Sequence, residues 1–181
     1  RLGYRPTKMV VIQHSVTPEC KTFFACAAAV RELQEVYMSD RNLDVPLVYN
    51  FLIGGDGSVY EGRGWDKVGA HTVRFDKCAI AVGFIGDYRY AEVTKRQING
   101  LKQLLKMGVL GGHLDPDFAL VGARDIRDSL SPGTNLYEAI QEVEHYDHEN
   151  RYRDMVCEQM HLPDGEKYVD RGKRMHELRQ A

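Results

Sequence analysis

Two stretches far apart in the chain hold the residues whose types and spacing bear on chemistry. MVVIQHSVTPEC places Gln13 before a lone His14, and LVGARDIRDSLSPG carries Ala123 and a Ser131 that precedes Pro132-Gly133. Together they have the look of two halves of a metal site from which the ligands have been removed. The question they raise is whether the chain does chemistry or only binds what a related enzyme would cut. His14 is no replacement for Gln13, because successive side chains on a strand point to opposite faces. His145 and His148, spaced i, i+3, sit in so charged a segment that they read as a solvated face rather than a metal clip.

Those residues need elements to position them. Met9 to His14 is a short β-branched run, read as a buried strand. Apolar residues at helical spacing over 20–38 (Phe23, Cys26, Ala27, Val30, Leu33, Tyr37) predict an amphipathic helix. LVYNFLIGGDGSVYEG is two strand-like runs around Gly-Gly-Asp-Gly, a hairpin signal. CAIAVGFIGD is nearly continuous in apolar and small residues, as in a central strand buried on both faces. A second helix is expected over about 94–107, with Gly108 placed to stop it. FALVG reads as another strand, and Asn135 with Glu138 three residues on as a capping box opening a third helix through Leu136, Ile140 and Val143.

The fold class that follows is α/β, a central mixed sheet flanked by about three helices, with a helical C-terminal extension. The main domain is expected over 1–145. Residues 146–181 form a charged extension, helical or partly disordered, with a break at Pro163-Asp164-Gly165.

The chain has 181 residues, 43% of them hydrophobic and 28% charged, enough for one domain with a substantial core. A net charge of −2 argues against general nucleic-acid binding, which needs a basic surface. No apolar run approaches the ~20 residues of a membrane span. No charged-then-apolar leader opens the chain, so a signal peptide or anchor is expected outside these residues. Of the four cysteines, Cys20 and Cys26 flank KTFFA. They either close a small loop or remain two buried thiols of a cytosolic helix, and their spacing excludes a CxxC metal knuckle. Cys78 reads as a core thiol, and Cys157 has no assignment.

The strings YNFLIGGDGSVYEGRGW, VGAHT, AVGFIGDY and LSPGTNLYEAI resemble, in unbroken order over about 9–142, a peptidoglycan recognition protein domain. Such domains are similar to zinc amidases of the phage-lysozyme type, which cut the bond between muramic acid and the stem peptide. Cys20 and Cys26 match the family's short-loop disulfide. The family's three zinc ligands fall on Gln13, Ala123 and Ser131. Alanine has no donor atom, neutral glutamine is a weak oxygen donor, and a serine hydroxyl is far harder to deprotonate than a thiol. Tyr49 matches the catalytic tyrosine, and Ser129 the residue that assists the oxyanion.

The resemblance therefore implies a catalytically inactive member with no cofactor. Its former active-site cleft would bind peptidoglycan or muropeptide through Tyr49, Trp65, His71, Thr72, Lys77 and Arg124. At Lys77, family members that prefer diaminopimelic-acid peptidoglycan carry an arginine; lysine keeps the charge without the planar fork. Tyr37 replaces a usual histidine, and RNLDVPLV with Pro46 alters the approach to the Tyr-Asn-Phe strand. Expected partners are peptidoglycan fragments and another domain of the same family, as homo- or heterodimer, in a secreted or ectodomain setting. The alternative is a decoy that binds no peptidoglycan and acts by dimerising with a related receptor.

Overall fold

The computed structural model describes residues 3–39 and 47–162. The RNLDVPLV approach up to Pro46, and the expected break and second helix after residue 162, lie outside the described residues. Five strands form one mixed sheet: β1 (Thr7–His14), β2 (Phe51–Ile53), β3 (Val59–Glu61), β4 (Ala79–Phe84) and β5 (Leu114–Gly122), in the order β3-β2-β4-β1-β5. Only β3 runs antiparallel to its neighbour; β2, β4, β1 and β5 are parallel. Three helices, α1 (Phe23–Ser39), α2 (Lys95–Leu110) and α4 (Thr134–Gln141), are joined by two four-residue helices, α3 (Ala123–Ile126) and α5 (Cys157–Met160).

The period of two along β1 divides the core. Val10 and Ile12 pack with Ile80 and Val82 of β4 beneath Leu101 and Leu105 of α2 and Leu136 and Ile140 of α4. Met9 and Val11 point the other way, toward Phe75, Tyr152 and Met160. On that second face Cys26 and Leu33 of α1 cover Leu52 and Ala81. Gln13, two residues beyond Val11, therefore emerges on the second face, at the carboxyl end of its strand.

Several expectations need correction. The first helix begins at Phe23, and Phe23 itself is exposed, stacked 6.0 Å from Tyr60. Gly108 does not stop α2 but lies buried inside it, where a Cβ would come within 2.5 Å of Trp65 and 2.8 Å of Leu114; Gly111 caps the helix. Asn135 is not a helix cap either. Gly133 occupies that position, and the Asn135 side chain donates instead to the Ala91 carbonyl at 2.8 Å.

Cys78 is not a thiol: it is bonded to Cys157, alongside the Cys20–Cys26 disulfide. The boundary expected at residue 145 has core on both sides. Beyond it the Tyr146 hydroxyl donates to Asp125, and Tyr152, Cys157 and Met160 are buried against β1 and β5.

Candidate functional site

The sheet register delivers two of the three degenerate ligand positions to one place. Ile12 pairs with Gly122 across the parallel β1–β5 ladder, so the next residues, Gln13 and Ala123, leave the ladder side by side. The loop after α3 brings the third. Ser131 Oγ accepts the His14 backbone N–H at 3.2 Å, and the Ser131 carbonyl accepts that of Arg124 at 2.9 Å. The assembly lies outside the carboxyl ends of parallel strands, where open α/β sheets form their binding crevices.

No metal donor set results. Ala123 is fully buried and has none to offer. The Gln13 amide nitrogen lies 3.4 Å from the His71 carbonyl and 3.5 Å from Thr72 Oγ1, donating to both. The Ser131 hydroxyl oxygen is engaged by His14. His14 also borders this region, but its Nδ1 accepts the Tyr88 N–H at 3.1 Å, and burial holds its pKa below the usual value. Among the described residues no three His, Cys, Asp or Glu side chains are gathered to hold a metal ion. The residues in place do not fit the zinc of the amidases.

Two cavities open along this edge. The first, about 330 Å³, is lined by Gln13, His14, Tyr49, Arg127, Ser129 and Ser131 among others, with Val16, Arg89 and Leu130 at its mouth. The second, about 590 Å³, is lined by His71, Thr72, Arg74, Asp76 and Ile126, and again by Arg127. Arg127 is their common wall, so the two read as one trough.

The polar lining is held firmly. Asp76 Oδ1 accepts the backbone N–H groups of both His71 and Thr72, at 2.9 and 2.7 Å. The His71 ring is enclosed, with Nδ1 3.2 Å from Thr72 Oγ1, and burial holds its pKa well below that of a free histidine. It is therefore a neutral imidazole near pH 7. The Tyr49 hydroxyl donates to the His14 carbonyl at 3.4 Å, while burial first and then Tyr37 raise its pKa, so it stays protonated.

Of the binding residues expected from sequence, the structure brings Tyr49, His71 and Thr72 to the trough. Trp65 lies elsewhere, tilted against Phe51 at 4.6 Å and stacked flat on His113 at 5.2 Å. Lys77 is exposed and lines neither cavity. Arg124 also lines neither; its guanidinium sits over the Tyr137 ring at 4.6 Å. Sequence reasoning missed Arg127, Arg89 and Asp76. Asp76 had a readable signal, an acidic residue just after a turn-like HTVRF segment, but Arg127 in RDIRDS reads only as a solvated charge.

Comparison with known proteins places the chain by sequence and overall fold. The family model described as N-acetylmuramoyl-L-alanine amidase matches residues 3–134. A peptidoglycan recognition protein of Trichoplusia ni is 41% identical over 142 residues, which cover 78% of this chain and 78% of that one. The solved Manduca sexta Peptidoglycan Recognition Protein-1 is 42% identical, with a TM-score of 0.73 over 80% of this chain and 82% of that chain. A chain of the ectodomain complex of peptidoglycan recognition proteins LCa and LCx, bound to tracheal cytotoxin, is 39% identical, with a TM-score of 0.76 over 80% of this chain and 87% of its own. By sequence and by fold, this chain belongs to the peptidoglycan recognition protein family, built on the amidase type of domain.

Proposed function

We propose that this chain recognises bacterial peptidoglycan fragments without cutting them, as a receptor or co-receptor of innate immunity in a secreted or cell-surface setting. One observation carries the reading: Gln13 and Ser131 line the trough with the buried Ala123 next to them, and the three supply no ligand set for zinc. Without a Lewis acid, nothing there polarises an amide carbonyl or brings the pKa of water toward neutrality. Tyr49 is buried and protonated, a donor rather than a base.

What remains suits binding. The Thr72 hydroxyl can meet peptide carbonyls, Arg127 supplies a cation, and Val16 and Leu130 give an apolar rim. The tracheal cytotoxin held by the LCa and LCx ectodomains supports the same class of ligand. Among the described residues no helix is long and apolar enough to cross a membrane. Isothermal titration with defined muropeptides, with metal analysis and chromatography of released stem peptide, tests the proposal. Micromolar or tighter binding with no release is expected; stoichiometric zinc with turnover would overturn it.

A second reading is favoured by one detail. The Tyr37 ring stands edge-on at 6.5 Å to Tyr49, a wall of the first cavity, and holds it from behind. A chain whose trough is closed to ligand would act as a decoy, by dimerising with a related ligand-bearing domain. Titrating such a domain with and without muropeptide separates the two: association without any muropeptide affinity of this chain's own supports the decoy.

A further inference from the structure

We infer that Arg127 is the residue that reads a free carboxylate of the bound peptide, the task that the sequence assigns to Lys77. The inference rests on taking the trough as a muropeptide site.

Three arginines and one lysine are in question, and their surroundings differ. Arg89 is committed to Asp87 through paired Nε and Nη2 contacts at 2.9 and 2.5 Å. Arg74 Nη2 donates to the carbonyls of Ile126 and Arg153, at 3.2 and 2.5 Å, and its guanidinium lies over the Phe75 ring. Lys77 lines neither cavity, and its charge lies near Glu158, whose pKa is lowered first by a backbone hydrogen bond, then by Tyr4, and last by Lys77. Arg127 alone among them lines both cavities, and among the described residues it makes no ion pair and no side-chain hydrogen bond. Its backbone N–H donates to the Ala123 carbonyl at 3.1 Å.

The position is electrostatically central. The Arg127 charge is felt at both Tyr49 and His71, which mark the two cavities. Asp76, the carboxylate of the second cavity, has its Oδ1 engaged by two backbone N–H groups and makes no ion pair with Arg127 among the described residues. An exposed guanidinium with all its side-chain donors free, at the seam of a trough whose other arginines are already engaged by Asp87 and by backbone carbonyls, matches a planar anion that arrives with the ligand. A carboxylate takes such a fork in two parallel hydrogen bonds, which a lysine cannot reproduce.

The test uses three ligands: a diaminopimelate-type muropeptide, the same molecule amidated at its extra carboxylate, and a Lys-type muropeptide. Arg127→Ala should weaken binding of the free-carboxylate ligand by about tenfold or more, the scale of a charged hydrogen bond. It should leave the other two within about twofold, so that the preference for the free carboxylate disappears. Arg127→Lys should fall between, and Lys77→Ala should change nothing. Because Arg127 is exposed and bonded only through its backbone, the thermal midpoint should not move. Equal loss for free and amidated ligands, or loss with Lys77→Ala and not Arg127→Ala, overturns the inference while the trough stands. If the wild-type chain binds none of the three, the reading of the trough falls and this inference with it.

Discussion

The Tyr49 ring lies flat against Gly83, so close that a Cβ on Gly83 would come within 2.9 Å of three ring carbons. Gly83 sits in the parallel ladder opposite Gln13 on one side and Leu52 on the other. The central strand thus gives up a side chain where the trough wall must approach it. Gly83→Ala would force the ring outward into the first cavity. The expected cost is ~1–3 kcal/mol of stability, as for other overpacked sites, with weakened muropeptide binding as the second effect. Urea unfolding checks the first and titration the second; a variant as stable as wild type would show that the wall yields freely.

Trp65 separates packing from recognition. Its ring fills the space between Phe51 and His113 and occupies the gap left by Gly108. Trp65→Ala should cost ~2–4 kcal/mol, at the lower end for a tryptophan because the ring is only partly buried. Muropeptide affinity, measured well below the melting midpoint, should be unchanged. Loss of affinity in a variant that remains folded would return Trp65 to the ligand-binding residues that the family resemblance implies.

The disulfide from Cys78 to Cys157 ties the segment after α4 across the second face of the sheet. It closes a loop of 79 residues, so on the chain-entropy account its removal should cost ~4 kcal/mol, within a known range of about 0–5. The six-residue separation of Cys20 and Cys26 predicts a smaller loss, ~2 kcal/mol. Paired serine substitutions of each bridge, compared by denaturant midpoint, should rank in that order. Arg74, whose side chain donates to the Arg153 carbonyl in the tied segment, should also lose order when the longer bridge is removed.

These contrasts show what one sequence makes legible. The β4 run is readable because a strand buried on both faces has to be continuously apolar, and the hairpin because Gly-Gly-Asp-Gly supplies the turn. Once the family resemblance picks out Gln13, Ala123 and Ser131, their weakness as zinc donors is readable because donor chemistry belongs to residue type. The Cys78–Cys157 pairing is not, since it depends on where the last described segment lies across the sheet. Gly108 misleads for a related reason: a glycine that ends a helix and one that admits a tryptophan look alike in sequence. Arg127 is invisible because its meaning comes from the partners it lacks in space.

His71 makes folding depend on pH in a direction that can be worked out. Its ring is enclosed, and burial lowers its pKa from 6.5 to about 4, outweighing the opposing pull of Asp76, while Arg127 and Arg63 add to the lowering. The folded form thus binds a proton less readily than the unfolded chain. Stability from this group is fully present above pH 6.5 and is lost as pH falls from there toward 4. His14, whose pKa burial also lowers, adds loss of the same sign. Urea midpoints measured from pH 7.5 down to 4.5 should therefore fall steadily, and His71→Asn should flatten the part of that slope due to His71. Below the window the carboxylates take over, among them Asp87, held near pKa 2 chiefly by its Arg89 hydrogen bond. A His71→Asn variant whose slope between pH 6.5 and 5 matches wild type would show that the ring is protonated in the folded protein. The trough would then carry a further cation beside Arg127, Arg74 and Arg89.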